Sequence, residues 1–230
     1  YLTDYYTDEA VKVIEANKHR PFFLYLAHWA PHTPLQATRA DYDALSHIKN
    51  HRRRVYAAMI RALDRGVGRV LDALKENGLD YNTFVMFTSD NGGAGYIALP
   101  EINQPFRGWK ITFFEGGIHV PYLMRWPAKI AAGTRFEKPV HHFDIFATAA
   151  AAAGALVPAD RPMDGVDLLP FVTPSSVEEE GDKVAKARNT DPHDRLFWRS
   201  GHYQVVIAKG WKLQRTMRPE KVWLFHLDSD

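Results

Sequence analysis

The chain has 230 residues, enough to bury a sizeable core, and its 46% hydrophobic and 24% charged fractions are those of an ordinary globular protein. Twenty-nine basic against twenty-seven acidic side chains leave a net charge of +2, without the basic footprint of a nucleic-acid-binding surface. Cysteine is absent, which excludes disulfides, thiolate metal sites and a thiol nucleophile, and no apolar run reaches the ~18 residues of a membrane-spanning helix.

The chain opens at Tyr1 with neither a Met nor a charged-then-apolar leader, so it reads as a processed chain or a piece of a longer one. Residues 10–19 suggest a short helix. Phe22-Phe23-Leu24-Tyr25-Leu26-Ala27 is a continuous apolar run rich in aromatics, the pattern of a strand buried on both faces. Trp29-Ala30-Pro31-His32-Thr33-Pro34 cannot continue a ladder, because proline has no N–H to donate, and is a loop at that strand's end. A long helical region follows. Thr38 with Asp41 three residues on suits its start, and Val55, Met59, Leu63, Val67, Val70 and Leu74 recur along one face up to a C-terminal cap at Gly78. His51-Arg52-Arg53-Arg54 falls inside that pattern and reads as a solvated helix face.

Residues 83–88 form a second apolar strand, ending in Ser89-Asp90-Asn91-Gly92-Gly93. Strand, helix, strand is a βαβ unit, which predicts a largely parallel sheet with helices on its faces. Residues 92–108 are a Gly/Pro-punctuated loop, 120–126 a third strand, and 143–153 a helix closed by Gly154. The Ala-rich run 145–156 predicts that this helix is buried. Residues 173–194 read as an exposed connector. Short β-rich runs at 196–198, 203–207, 211–214 and 222–225 predict an antiparallel meander with no chemistry of its own.

In open α/β sheets ligands bind beyond the carboxyl ends of strands, which singles out the loops holding His32 and Asp90-Asn91. Asp90 and Asn91 set a carboxylate beside an amide oxygen, donors suited to Ca²⁺ or Mg²⁺. Two ligands fall short of the roughly six to eight such ions take, and Asp-Asn-Gly-Gly is equally good turn chemistry. His32, between Pro31 and Pro34, is either held toward a ligand or simply an exposed loop histidine. Lys110 follows Arg107-Gly108-Trp109 and precedes Thr112 and Glu115-Gly116-Gly117; a lone lysine of this kind is ordinarily a solvated charge.

Three segments in order change that balance: Pro31-His32-Thr33-Pro34, Phe87-Thr88-Ser89-Asp90-Asn91-Gly92-Gly93, and Gly108-Trp109-Lys110-Ile111-Thr112-Phe113-Phe114-Glu115-Gly116-Gly117-Ile118-His119-Val120-Pro121. Together they resemble the type I sulfatase family, most nearly arylsulfatases and N-acetylgalactosamine-6-sulfatases. Arg125-Trp126-Pro127, the helix near Asp144, Leu196-Phe197-Trp198-Arg199 and Trp211-Lys212-Leu213 also fit. The resemblance implies an α/β, alkaline-phosphatase-like sandwich with a largely parallel central sheet, partly present here, and a small C-terminal antiparallel β subdomain. Residues 1–172 would be the C-terminal portion of the catalytic domain, 173–194 the connector and 195–230 the subdomain.

Residue by residue, the resemblance implies that Asp90 and Asn91 are metal ligands, to Ca²⁺ as a rule and Mg²⁺ as the alternative. His32 matches the histidine near the leaving-group oxygen of the sulfate ester, and Lys110 the lysine that binds a sulfate oxygen. Glu115 looks structural, and His119 stands where members often carry Arg. The family's nucleophile is a formylglycine made from Cys or Ser in a Cys/Ser-x-Pro-x-Arg motif. This chain has no Cys and no Ser opening that motif, and no counterpart of the N-terminal aspartates that complete the metal shell. The expectation is a part of a sulfuric ester hydrolase, inactive alone, whose nucleophile lies on a missing N-terminal segment. It would act on a sulfated small molecule or glycan, without nucleic acid or a transmembrane segment, in a periplasmic, secreted or lysosomal setting. Two further readings remain: a phosphoesterase of the alkaline-phosphatase-like superfamily, and an inert sulfatase-like binding module.

Overall fold

The computed structural model describes residues 1–173 and 190–230. They form two compact units, one of residues 1–83 with 95–100, the other of 84–94 with 101–230.

The first unit is helical: α1 (Leu2–Asn17), α2 (Arg39–Asp43) and α3 (His51–Glu76). α1 starts well before the expected residue 10 and buries Thr3, Thr7, Ala10 and Ile14, a stripe at three- and four-residue steps. It packs on α3, whose buried residues include Ala58, Met59, Ala62, Gly66, Ala73 and Leu74. A Cβ at Gly66 would lie 2.5 Å from Thr7 Oγ1, so glycine permits the close approach. The expected stripe is therefore rotated. Met59 and Leu74 are fully buried along with Ala58, Ala62, Gly66 and Ala73, whereas Val55, Leu63, Val67 and Val70 are half-buried.

The predicted single helical region is two helices. Thr38 caps α2, its Oγ1 accepting from Asp41 N–H at 3.1 Å, while Asn50 caps α3 through Arg53 N–H at 3.0 Å. Asp41 is buried and meets Arg65 Nη1 at 2.5 Å, Thr38 Oγ1 at 2.7 Å and the Arg61 guanidinium. The Arg65 hydrogen bond leads in holding its carboxyl down to about 2. The basic cluster is a helix face with backbone partners: Arg52 donates to Ile97 O and Arg54 to Tyr42 O. Gly78, at φ +70°, closes α3 as expected.

Residues 22–27 differ from the strand expected there. They alternate between half-buried and exposed, the period of an extended chain, with Phe23 79% and Tyr25 80% exposed. No strand pairs with them among the described residues. An apolar run encodes a strand's pattern, but its ladder depends on a partner elsewhere.

In the second unit β1 (Val85–Thr88) pairs antiparallel with β2 (Tyr122–Arg125), Val85 opposite Arg125 and Thr88 opposite Tyr122. The parallel partner that a βαβ unit would give β1 is thus not seen among the described residues. The class is mixed α/β as expected. This unit also holds α4 (Glu115–Ile118), between β1 and β2, and then α5 (Asp144–Ala152) and α6 (Leu169–Val172). α5 is one residue shorter at each end than the expected 143–153, and it is not a buried helix, since Phe146 is 61% exposed. Its fully buried residues are polar anchors, Asp144 and Thr148. Most of the expected connector, 174–189, lies outside the described residues; His193, from its end, is half-buried against Asp144 rather than exposed.

The meander is as expected: β3 (Leu196–Ser200), β4 (Tyr203–Ala208), β5 (Trp211–Met217) and β6 (Glu220–His226), antiparallel in that order. Lys209 and Gly210, both at positive φ, make the two-residue turn between β4 and β5. The inner face carries Leu196, Val205 and Ile207 against Phe113, Ile118 and Phe143. β5 inverts the usual rule. Lys212, Gln214 and Thr216 point inward and are buried, while Trp211, Leu213 and Met217 are exposed. Leu196, Ile207, Lys212 and Phe225 align across the strands, so the lysine occupies a row that is otherwise apolar.

Candidate active site

β1 delivers its chain to a polar loop. Thr88 Oγ1 donates to Pro121 O at 2.9 Å, tying the strand's last residue to the start of β2. Ser89 Oγ donates to Asn91 O at 2.9 Å and Asn91 Nδ2 to Gly92 O at 3.0 Å, which leaves the amide oxygen as the ligand-type atom of Asn91. Asp90 is exposed and Asn91 half-buried.

Long-range partners hold this loop against the Lys110 loop. Gly92 N–H donates to Gly117 O at 3.0 Å, and Lys110 N–H donates to Gly93 O at 3.0 Å. Asn103 is the clasp: its Oδ1 accepts from Gly93 N–H at 2.7 Å, and its Nδ2 donates to Gly93 O at 3.0 Å and Gly108 O at 3.1 Å. The glycines are required by contact. A Cβ at Gly92 would sit 1.8 Å from Gly116 O, and one at Gly117 2.0 Å from Thr112 O. Asp90, Asn91 and Lys110 thus belong to one hydrogen-bonded assembly.

Glu115 has the structural part expected of it, through a partner the sequence did not suggest. Its carboxylate accepts from Lys212 Nζ at 2.6 Å and meets His119 Nδ1 at 3.0 Å. Burial pushes the Glu115 carboxyl up, but the His119 and Lys212 bonds outweigh it and hold it below its ordinary value. Burial pushes the Lys212 ammonium down, against the pull of Glu115. The meander therefore supports the loop that carries Lys110. Asn103 and Lys212 were missed; for Lys212 the available signal was a charged residue set between apolar neighbours in a strand.

His32 belongs to the first unit. It is exposed; its N–H donates to Trp29 O at 2.9 Å and its Nδ1 to Thr33 O at 2.8 Å. A carbonyl accepts only, so in the neutral ring the proton is on Nδ1 and the lone pair on Nε2.

Among the described residues no three His, Cys, Asp or Glu side chains come together as a metal site. Asp90 and Asn91 offer the hard oxygen donors Ca²⁺ or Mg²⁺ takes, so they fit such an ion in kind. In number they supply two of the roughly six to eight ligands.

The glycine-clasped loops and the fold belong with a known class. The family described as Sulfatase matches residues 1–155, and the chain belongs to that family. An uncharacterized sulfatase of Escherichia coli (strain K12), YdeN, is 36% identical over 201 residues, covering 86% of this chain and 33% of that protein. The N-acetylgalactosamine-6-sulfatase of Mus musculus is 41% identical over 173 residues, covering 74% of this chain and 32% of that protein. A solved structure of Ps i-CgsB in complex with k-i-k-neocarrahexaose superposes with a TM-score of 0.86 at 36% identity, over all of this chain and 49% of that one. The fold is the alkaline-phosphatase-like α/β fold of these sulfatases, and the chain spans about a third of the length of the curated relatives it matches. No helix among the described residues is long and apolar enough to cross a membrane.

Proposed function

We propose that the complete protein hydrolyses sulfate esters of a sulfated carbohydrate, and that this chain supplies part of its active site. The observation that carries the reading is the bond from Lys110 N–H to Gly93 O, which ties the Lys110 loop to the Asp90–Asn91 loop. Membership of the sulfatase family and the neocarrahexaose complex of a 36% identical relative support the ester and the substrate class.

Sulfuryl transfer spreads negative charge over the sulfate oxygens and builds it on the departing alkoxide. In this reading the Lys110 ammonium binds a sulfate oxygen and stabilises the first charge. His32, with Nδ1 committed to Thr33 O, presents Nε2, whose proton in the imidazolium form goes to the leaving-group oxygen. Asp90 and Asn91 would hold a divalent cation, Ca²⁺ or Mg²⁺, which when bound acts as a Lewis acid on the sulfate. The nucleophile is assigned to a formylglycine outside this chain, and the isolated chain is expected to be inactive. The family also suggests a periplasmic, secreted or lysosomal setting.

The test is turnover by the complete protein of an aryl sulfate, a sulfated oligosaccharide and an aryl phosphate. Sulfate turnover that falls about 10²–10³-fold in Lys110→Ala would support the reading. Faster phosphate than sulfate turnover, or a complete reading frame without Cys/Ser-x-Pro-x-Arg, would overturn it. Sulfatase turnover by residues 1–230 alone would overturn the assignment of the nucleophile.

A further inference from the structure

His142 stands two residues before a rigid anchor. The Asp144 carboxylate is fully buried and accepts from His141 N–H at 2.7 Å, from Val166 N–H at 3.0 Å and from His193 Nε2 at 2.9 Å. Three donors from separate segments fix the start of α5, and with it the backbone that carries His142.

The His142 ring reaches back to the end of β1. Its Nε2 lies 2.8 Å from Ser89 O and 3.2 Å from Thr88 Oγ1. A carbonyl oxygen only accepts, so Nε2 carries the proton. The Thr88 hydroxyl directs its own proton to Pro121 O, so it too accepts from the imidazole. Ser89 O belongs to the peptide bond that leads into Asp90. The carbonyl beyond the last β1 ladder residue is thus held by a side chain from far along the chain, not by the sheet.

We infer that His142 is a positioning residue: its Nε2–H bond to Ser89 O sets the direction in which Asp90 and Asn91 leave β1, and so their aim at a divalent cation. The inference rests on the proposed metal role of Asp90 and Asn91. His142 acts through the Ser89–Asp90 peptide, whose carbonyl it holds. Partners that orient metal ligands in this way are worth about 10–100-fold in metal affinity.

The experiment uses the complete protein, with Ca²⁺ titration calorimetry, and hydrogen–deuterium exchange of the 86–93 segment in the calcium-free form. His142→Ala should weaken Ca²⁺ binding by about 10–100-fold and speed exchange of that segment without metal. His142→Gln keeps an N–H donor at similar reach and should restore both to within about threefold of the parent, as a retained second partner requires. Asp90→Ala distinguishes the metal role of Asp90 from the positioning role of His142. If it leaves Ca²⁺ affinity unchanged, the metal reading fails. If it abolishes binding while His142→Ala binds Ca²⁺ like the parent, the positioning role fails alone. A lower unfolding temperature of His142→Ala with unchanged Ca²⁺ affinity means that the residue only stabilises the fold, and also overturns the inference.

Discussion

The loops of His32 and Asp90 look alike in sequence, since each follows an apolar run and precedes a proline- or glycine-rich stretch. In the structure they are built differently. Around Asp90, backbone groups bond to Gly117 and Asn103, and glycine is demanded by carbonyls less than 2.5 Å from any added Cβ at Gly92 and Gly117. Around His32 the described bonds are local, to Trp29 and Thr33, and the preceding segment has no ladder among the described residues. One loop is positioned by its own chain through partners distant in sequence. The other lies on a segment without a ladder, whose flanks meet α1: the His28 ring lies against Tyr6, and Gln36 O accepts from the Tyr1 hydroxyl at 2.9 Å.

That contrast can be broken by substitution. The largest effect is expected at Gly92→Ala or Gly117→Ala, because the atoms met are backbone carbonyls that cannot move without opening the clasp. Each should cost more than about 3 kcal/mol in urea unfolding. His32→Ala, at an exposed position, should stay within about 0.5 kcal/mol. A Gly92→Ala variant within about 1 kcal/mol of the parent would erase the distinction.

The first unit has its own strong point, away from the His32 loop. Asp41→Asn removes the charge facing Arg61 and Arg65, for an expected loss of about 2–3 kcal/mol, below the fully buried case because both arginines are partly exposed. The pH dependence has a definite sign. The Asp41 carboxyl falls from 3.8 unfolded to about 2 folded, so its contribution is complete above the unfolded value and lost as pH drops through about 2. The stability gap between parent and Asp41→Asn should be constant above about pH 5 and close toward pH 2. A gap that widens on acidification would contradict the assignment.

In the second unit, Lys212→Met leaves Glu115 with His119 alone, and Glu115→Gln leaves a buried ammonium without its counter-charge. Each is expected to cost about 2 kcal/mol, with the double variant well short of the sum, a coupling of at least about 1 kcal/mol. Additive losses would show that the pair does not act as a unit.

What the sequence disclosed, and what it hid, follows the same division. The cap at Thr38, the stop at Gly78, the bounds of α5 to within one residue and the four-stranded meander rest on local chemistry, and the structure has them. The pairing of residues 22–27 and of β1 depends on partners that no local pattern names. The polar inner face of β5 was hidden for a related reason. Alternation shows that two faces differ, and the apolar residues Trp211, Leu213 and Met217 suggest the wrong one as buried. Lys212 is inward because Glu115 waits there, 97 residues away in sequence. The loops of Asp90 and Lys110 could be read as a family pattern, but the Asn103 clasp that joins them could not.

The smallest expected effect is the sharpest probe of the unpaired segment. Phe23 and Tyr25 are about four-fifths exposed, so Phe23→Thr should change the stability of residues 1–230 by no more than about 0.5 kcal/mol. The apolar run that suggested a strand buried on both faces requires the opposite in the complete protein, where loss of a buried Phe side chain costs about 3 kcal/mol. Measuring the same substitution in both chains separates the possibilities. A small effect in one and a large effect in the other means that the ladder for 22–27 comes from residues outside this chain. Equal small effects mean that the run is a surface segment in both chains.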